Sequence, residues 1–378
     1  MFHSTSSIVR SALTSNIKMS SSATRSLTTA KSIIYSTHGE PKDVIKVHTY
    51  TIKEPEDNEI VLKTLAFPIN PSDINQLEGV YPSKPEKTLQ YNTTEPSAIA
   101  GNEGLFEVFK TGPGVSSKFQ IGDRVVPIFA NTGTWTSHNI IKEDQLIKLP
   151  KDLSIVKGAT IGVNPATAYQ LVNNYGLIKG DWLIQNAGTS AVSQMVSQIA
   201  KTKGINVISV IRDRDDFDAV AERLTSQGAT KVISESQNGD RDVGKELAKL
   251  TGGNIKLALN SVGGKSSASI ARKLAPGSKI ITYGGMSKQP VTFPTSLFIF
   301  KNIQALGYWV TENTKADPAG KVKDTEEIVK LYQSGQLKEL EVVESVWKLD
   351  EFSDEQVRDL IVKGLENSSK GKQLIKIE

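Results

Sequence analysis

Apolar residues fall into their most regular pattern between positions 181 and 214, in DWLIQNAGTSAVSQMVSQIAKTKGINVISVIRDR. Trp182, Leu183, Ile184 and Gln185 form a short, largely apolar run, which predicts a strand. After the AGTS turn, Val192, Met195, Val196, Ile199 and Ala200 recur at helical spacing, with Thr189 or Ser190 placed as the cap and Gly204 as the stop. The β-branched run from Asn206 to Ile211 predicts a second strand. Strand, tight turn, helix and strand in that order make a βαβ unit.

The alternation continues to about residue 310. Helices are expected near 216–227, 242–251 and 267–274, and strands over 231–234, in IKLALNSV, in GSKIITYGGM and in IQALGYWV. Six strands with helices between them predict an α/β fold with a doubly wound parallel sheet, whose ligands bind beyond the carboxyl ends of the strands. The glycines at 263, 264, 284 and 285 follow two of those ends. Earlier in the chain the pattern is different. SIIYST from Ser32, a segment around Ile45 to Tyr50, EIVLKTLAF, Leu105 to Phe109, FQIGDRVVPIF and GTWTSHNIIKEDQLIKLP read as a small β-rich domain. A long Pro-, Asn- and Gly-rich stretch over 68–104 interrupts it and is expected to be a functional loop. A helical crossover, IVKGATIGVNPATAYQLVNNYG, carries apolar Ala166, Tyr169, Leu171 and Val172. Past Asp317 come a helix at 325–334 and an alternating terminal strand, LIKIE, which needs a partner and is expected to rejoin the β-rich domain. The expected division is 32–163 with 318–378 for that domain and 164–317 for the parallel sheet.

In a βαβ unit the turn after the first strand offers backbone N–H groups and the positive end of the helix dipole to a pyrophosphate. Here the usual G-x-G-x-x-G is reduced to Gly188, with small residues Ala187, Ser190, Ala191 and Ser193 around it, so the turn by itself also suits any parallel α/β domain. The end of the second strand is more telling. An acidic residue there would hold the ribose 2′-hydroxyl of NAD, whereas this chain has Arg212 and Arg214 flanking Asp213. Two guanidinium groups suit a 2′-phosphate, so NADPH is the expected cofactor.

Composition narrows the picture. A chain of 378 residues is expected to form about two domains, and no apolar run approaches the roughly 18 residues of a membrane-spanning helix. The absence of cysteine removes disulfides, thiolate nucleophiles and Cys-based zinc sites together. Residues 1–31 hold Arg10, Lys18, Arg25 and Lys31 among many Ser and Thr, with no acid before Glu40. That is the composition of a mitochondrial transit peptide, expected to be disordered; a plain polar tail is the alternative. Without those four residues 41 basic residues face 41 acidic ones. The nominal charge of +4 therefore points to targeting to the mitochondrial matrix and not to nucleic acid.

FPINPSDIN, GNEG, GDRVVP, VNPATAY, QNAGTSAVSQ, IRDR, ALNSVGGKS, YGGM and GYW, in this order, resemble the blocks of the medium-chain dehydrogenase/reductase superfamily and, within it, the mitochondrial 2-enoyl thioester reductases. The resemblance spans the chain after its leader and implies a GroES-like catalytic domain beside a Rossmann domain. Where zinc-dependent relatives carry metal ligands, this chain reads Pro71-Ser72-Asp73 and Gly101-Asn102-Glu103, so no metal is expected. The resemblance places the family's proton-donating tyrosine at Tyr81. It places cofactor contacts at Asn164, at Thr189, Ser190, Ala191 and Val192, at Arg212, Asp213 and Arg214, at Tyr283, Gly284, Gly285 and Met286, at Tyr308, Trp309 and Val310, and at Lys372. Ala191 and Ser193 stand where the family often has glycine, which implies altered cofactor affinity. The implied activity is NADPH-dependent reduction of trans-2-enoyl thioesters, carried on coenzyme A or acyl carrier protein, by a homodimer serving mitochondrial fatty acid synthesis.

From the residues alone Tyr81 and Tyr91 compete as the phenol of the long loop, and either suits packing. His3, His38, His48 and His138 share no spacing that suggests a triad. LFIF at 297–300 suits an acyl channel, an apolar strand or a subunit contact. A quinone reductase and a non-catalytic NADPH-binding regulator are the rival functions.

Overall fold

The strands at 182–185 and 206–211 are buried on both faces, and this dictates a three-layer arrangement. In the computed structural model, which describes Met1 and residues 28–378, six parallel strands lie in the order Lys231–Ser234, Asn206–Ile211, Trp182–Gln185, Ile255–Asn260, Lys279–Thr282, Gln304–Gly307. Leu183, Val207, Leu257 and Ile281 face Met195, Val196 and Ile199 of the helix Ala191–Thr202 and Leu171 of the helix Asn164–Asn173. Ile184, Ile208, Ala258 and Ile280 face Leu247 and Ile270 on the other side. Strand order reverses on either side of Trp182–Gln185, and a crevice opens there at the carboxyl ends.

The other half is antiparallel in the main. Its larger sheet runs Val342–Trp347, Lys372–Ile377, Glu59–Ile69, Leu105–Thr111, Arg124–Pro127, Leu146–Leu149, with His138–Lys142 also paired to Glu59–Ile69. The terminal strand Lys372–Ile377 lies parallel to Val342–Trp347 and antiparallel to Glu59–Ile69, so the end of the chain does return to this half. A smaller sheet joins Lys46–Ile52, Thr28–Tyr35 and Ala98–Ile99. The helix Pro318–Gln333 bridges the halves: Ile328, Val329 and Tyr332 enter the core with Leu171, and Gln170 donates to Asp324 across 2.7 Å.

Several elements depart from the sequence pattern. The first strand begins at Thr28, four residues before Ser32, and Lys31 is anchored to the Phe352 carbonyl and to Asp354. Residues 28–31, expected in the leader, thus belong to a strand, and residues 2–27 lie outside the described residues. The long loop contains the helix Pro71–Leu77, built on a capping box between Asn70 and Asp73 with Pro71 at the first turn. LFIF lies in the helix Thr295–Lys301, with Leu297 buried and Phe298, Ile299 and Phe300 exposed. IQALGYWV pairs only over Gln304–Gly307, after which Trp309 caps the helix Val310–Ala316. Among the described residues no helix is long and apolar enough to cross a membrane.

Candidate active site

The cradle is built by the turn after Trp182–Gln185. A Cβ on Gly188 would come within 2.9 Å of Ser209 Cβ and 3.0 Å of Ile211 Cγ2, so this is the position where the crossing of turn and strand leaves no room for a side chain. Ala187 takes the left-handed region at φ 49°. Ser190 caps the helix and accepts from the Ser193 N–H, while the Thr189 carbonyl accepts from the Gln194 amide at 2.8 Å. Ala191 and Val192 form the partly exposed first turn, where backbone N–H groups lack intrahelical partners. Ser193 does not crowd this face. It is wholly buried, donates to the Asn186 carbonyl at 3.2 Å, accepts from Ser190 at 3.0 Å and lies 3.3 Å from the Tyr283 hydroxyl.

At the end of the next strand Arg212, Asp213 and Arg214 are all exposed. Arg214 is held by Asp216 in a two-pronged pair, with Nη2 to Oδ2 at 2.8 Å and Nε to Oδ1 closer still. Asp213 turns to Ser236 and accepts from its N–H at 3.1 Å and from its hydroxyl. Arg212 has no hydrogen bond or ion pair among the described residues. Of the two expected guanidinium groups, one is therefore available and one is engaged.

Further along the crevice Asn186 donates to Asn260 Oδ1 and accepts from the Ser261 N–H, each at 2.8 Å, tying the central strand ends together. The Ser261 hydroxyl beside them is buried without a partner. A Cβ on Gly284 would sit 3.2 Å from Ser261 Cβ, whereas Gly285 faces open space and Met286 is exposed. An unpaired hydroxyl, a glycine turn and a capped helix end converging on one crevice fit a dinucleotide phosphate group.

The opposite wall comes from the β-rich half. Asp73 is buried and accepts from the Asn70 N–H at 2.7 Å and the Asn102 amide at 2.6 Å; burial nevertheless raises its carboxyl to about 6. Asn102 also donates to Gln76 Oε1 at 2.7 Å, and Gln76 donates to Asn131 at 2.6 Å and to the Ser83 carbonyl at 2.8 Å. Glu103 accepts from the Asn70 amide at 3.0 Å and from the Val163 N–H at 2.7 Å. Lys372 donates to Asn70 Oδ1, and burial lowers its ammonium. Asp73 and Asn102 are thus bound to each other, and Glu103 to the Asn70 amide and the Val163 N–H.

Tyr81 reaches across the cleft. Trp309 Nε1 donates to its hydroxyl at 2.7 Å, and the rings meet edge to face at 5.6 Å. Burial raises the Tyr81 pKa, against the Trp309 and Thr311 hydrogen bonds that lower it. Val310 opens the helix after Trp309, and Asn164 opens Asn164–Asn173. Tyr308 is buried and donates to Gln170 Oε1 at 2.8 Å, which makes its side chain a packing group. Tyr91 packs on Tyr50 at 5.1 Å, and its carbonyl bonds His48 at 2.7 Å, well removed from the Trp309 contact. The sequence reading missed Asn70, Gln76, Asn102, Glu103, Asn131, Thr311 and Lys321, all of which frame this wall.

Comparison with known proteins agrees with this geometry. Residues 56–151 match the alcohol dehydrogenase GroES-like domain and residues 191–331 the zinc-binding dehydrogenase family. The mitochondrial enoyl-[acyl-carrier-protein] reductase of Kluyveromyces lactis is 55% identical over 349 residues, covering 89% of this chain and 90% of that one. A protein named NADPH quinone oxidoreductase from Kluyveromyces marxianus is also 55% identical, over 89% of this chain and 91% of its own. The Candida tropicalis mitochondrial 2-enoyl thioester reductase Etr1p/Etr2p heterodimer is 47% identical with a TM-score of 0.88, over 93% of this chain and 100% of that one. A solved Etr1p complex with NADP and crotonyl-CoA matches at the same values. Fold and site together define a medium-chain dehydrogenase/reductase, and this chain belongs to its family of mitochondrial 2-enoyl thioester reductases.

Proposed function

We propose that this protein reduces trans-2-enoyl thioesters to saturated acyl thioesters with NADPH, in mitochondrial fatty acid synthesis, using Tyr81 as the acid. The reading is supported by the Tyr81 hydroxyl, which accepts a 2.7 Å bond from Trp309, two residues beyond the end of the strand Gln304–Gly307. NADPH, when bound, supplies the hydride for the β-carbon. Negative charge then gathers on the α-carbon and carbonyl oxygen of the substrate, and a hydrogen-bond donor must meet it. The Tyr81 hydroxyl accepts from Trp309, which leaves its own proton to be donated outward; a phenol with a raised pKa stays protonated at neutral pH.

The cofactor would lie on the N–H groups of Thr189 to Val192, with Arg212 at the 2′-phosphate and Asn164, the turn at Tyr283 to Met286, the segment Tyr308 to Val310 and Lys372 along its length. The β-rich half, 32–163 with 318–378 and the preceding strand residues from Thr28, carries the acid, and 164–317 carries the cofactor. Two copies pair at the sheet edge Gln304–Gly307, whose four residues are all exposed beside Ile299 and Phe300. The acyl group arrives on coenzyme A or acyl carrier protein, and residues 1–27 direct the chain to the mitochondrial matrix.

NADPH oxidation measured with a series of enoyl thioesters, beside a quinone, tests the activity. Turnover of thioesters well above that of the quinone is expected. Efficient quinone reduction with inert thioesters would reverse the assignment, and cofactor binding with neither activity would make the chain a regulator.

A further inference from the structure

Behind Tyr81 lies a second polar region that the reduction step itself does not use. Thr311 and Thr314 share one face of the helix Val310–Ala316 and are almost fully buried. Lys321, on the following helix, is only 2% exposed. Its Nζ donates to the Gly162 carbonyl, its single hydrogen-bond acceptor among the described residues. An ammonium carries three donors, so two are left over in a place where unpaired donors are costly.

Lys321 also borders a small cavity. Thr311, Thr314 and Lys321 line it together with Asn102, Glu103 and Val163, and its volume of about 40 Å³ is room enough for an ordered water. Thr311, which lines the cavity, also acts on Tyr81, lowering its pKa against the burial that raises it. A chain of exchangeable protons can therefore run from the Lys321 ammonium through water and Thr311 to Tyr81.

Each turnover consumes one NADPH and one proton. If Tyr81 protonates the α-carbon, as the proposed function holds, it is left as a phenolate and must be recharged. We propose that Lys321 returns this proton, through a water in the cavity and the Thr311 hydroxyl, to the Tyr81 oxygen. In that step an N–H bond of Lys321 breaks and the O–H bond of Tyr81 re-forms, with the proton handed along by water and Thr311; the neutral amine then takes a proton from bulk water. The electrostatics agree with the geometry. Burial lowers the Lys321 ammonium to about 8, while Glu103 from the facing loop and Asp324 from its own helix act to raise it. A group near 8 gives up a proton far more readily at neutral pH than an exposed lysine.

Rapid mixing of the NADPH-loaded enzyme with a four-carbon enoyl thioester of coenzyme A separates the first turnover from those that follow. In Lys321→Met the first turnover should stay within about twofold of wild type, because Tyr81 starts with its proton, and the steady-state rate should fall tenfold or more. Lys321→Ala should recover when ethylamine is added. Thr311→Val, which leaves the Lys321 bond to Gly162 in place, covers the case that the lysine variants fail to fold and should slow later turnovers at least tenfold more than the first. Equal slowing of first and later turnovers, or no slowing, would overturn the relay. Tyr81→Phe is the separate check: a normal first turnover there would remove the acid assignment itself, whereas a slow one beside unimpaired relay variants would leave Tyr81 in place and remove Lys321 alone.

Discussion

Trp309 donates its indole N–H to the Tyr81 hydroxyl over 2.7 Å, joining residues 228 apart in sequence and from opposite halves of the molecule. The bond fixes the phenol and orients its proton. General acid catalysis contributes roughly 10² to 10⁴-fold, so Tyr81→Phe should lower turnover by about that factor with NADPH affinity near wild type. Tyr91→Phe should change little, since that ring packs on Tyr50. Steady-state rates beside a cofactor titration decide the point, and loss of turnover in the Tyr91 variant would transfer the role.

Arg212 and Arg214 should differ in their effect on cofactor choice. A charge-assisted hydrogen bond to phosphate is worth about 1.5–3 kcal/mol, so Arg212→Ala should weaken NADPH roughly tenfold or more relative to NADH. Arg214 is occupied by Asp216, and Asp216→Ala should tighten NADPH by releasing it. Dissociation constants for both cofactors provide the measure; an equal loss for NADPH and NADH in the Arg212 variant would show that this side chain does not read the phosphate.

Ser193 joins the strand end, the helix cap and Tyr283 through its hydroxyl. Replacing it by glycine removes these bonds and adds a glycine to the first helical turn, for a loss of about 2 kcal/mol. Urea unfolding of Ser193→Gly checks this, and unchanged stability would mean the hydroxyl network is idle.

His138 gives the fold a pH signature. Burial, aided by nearby Lys63, lowers it from 6.5 to about 4. Between those values the unfolded chain binds a proton that the folded chain does not, so stability should fall as pH drops through this window. His138→Leu should flatten that part of the profile in thermal melts at stepped pH; an unaltered slope would assign the acid sensitivity to other groups.

The exposed edge strand predicts a two-fold dimer at micromolar concentration. Phe300 is 80% exposed in the helix just before it, and Phe300→Lys should shift the mass seen by light scattering toward the monomer. A wild-type monomer would contradict the pairing.

What the sequence made legible follows from the range of the forces involved. The βαβ unit was readable because burial on both sheet faces leaves a local apolar pattern, and Trp182–Gln185 and Asn206–Ile211 fall where that pattern puts them. For LFIF only the strand alternative fails, because a four-residue apolar run has no period of its own; Pro294 and Asn302 bound it as a helix. The helix Pro71–Leu77 did carry a signal, Asn-Pro-Ser-Asp, hidden within a stretch whose composition suggested loop. The wall of the site was the least readable part. Lys372 meets Asn70 across 302 residues and Lys321 meets Gly162 across 159, and polar contacts at such separations leave no periodic trace.

The placement of Lys372–Ile377 between Val342–Trp347 and Glu59–Ile69 sets an order in which the two halves can be completed. Lys372–Ile377 lies second in the sheet, beside its edge strand Val342–Trp347, and follows every strand of the parallel sheet in sequence. Glu59–Ile69 has one neighbour about 300 residues further along the chain, so the nucleotide half can close on local contacts while the acid-bearing half needs this long-range pairing. The acid-bearing half is therefore complete only with Lys372–Ile377 in place, and losing residues 372–377 would part Glu59–Ile69 from Val342–Trp347.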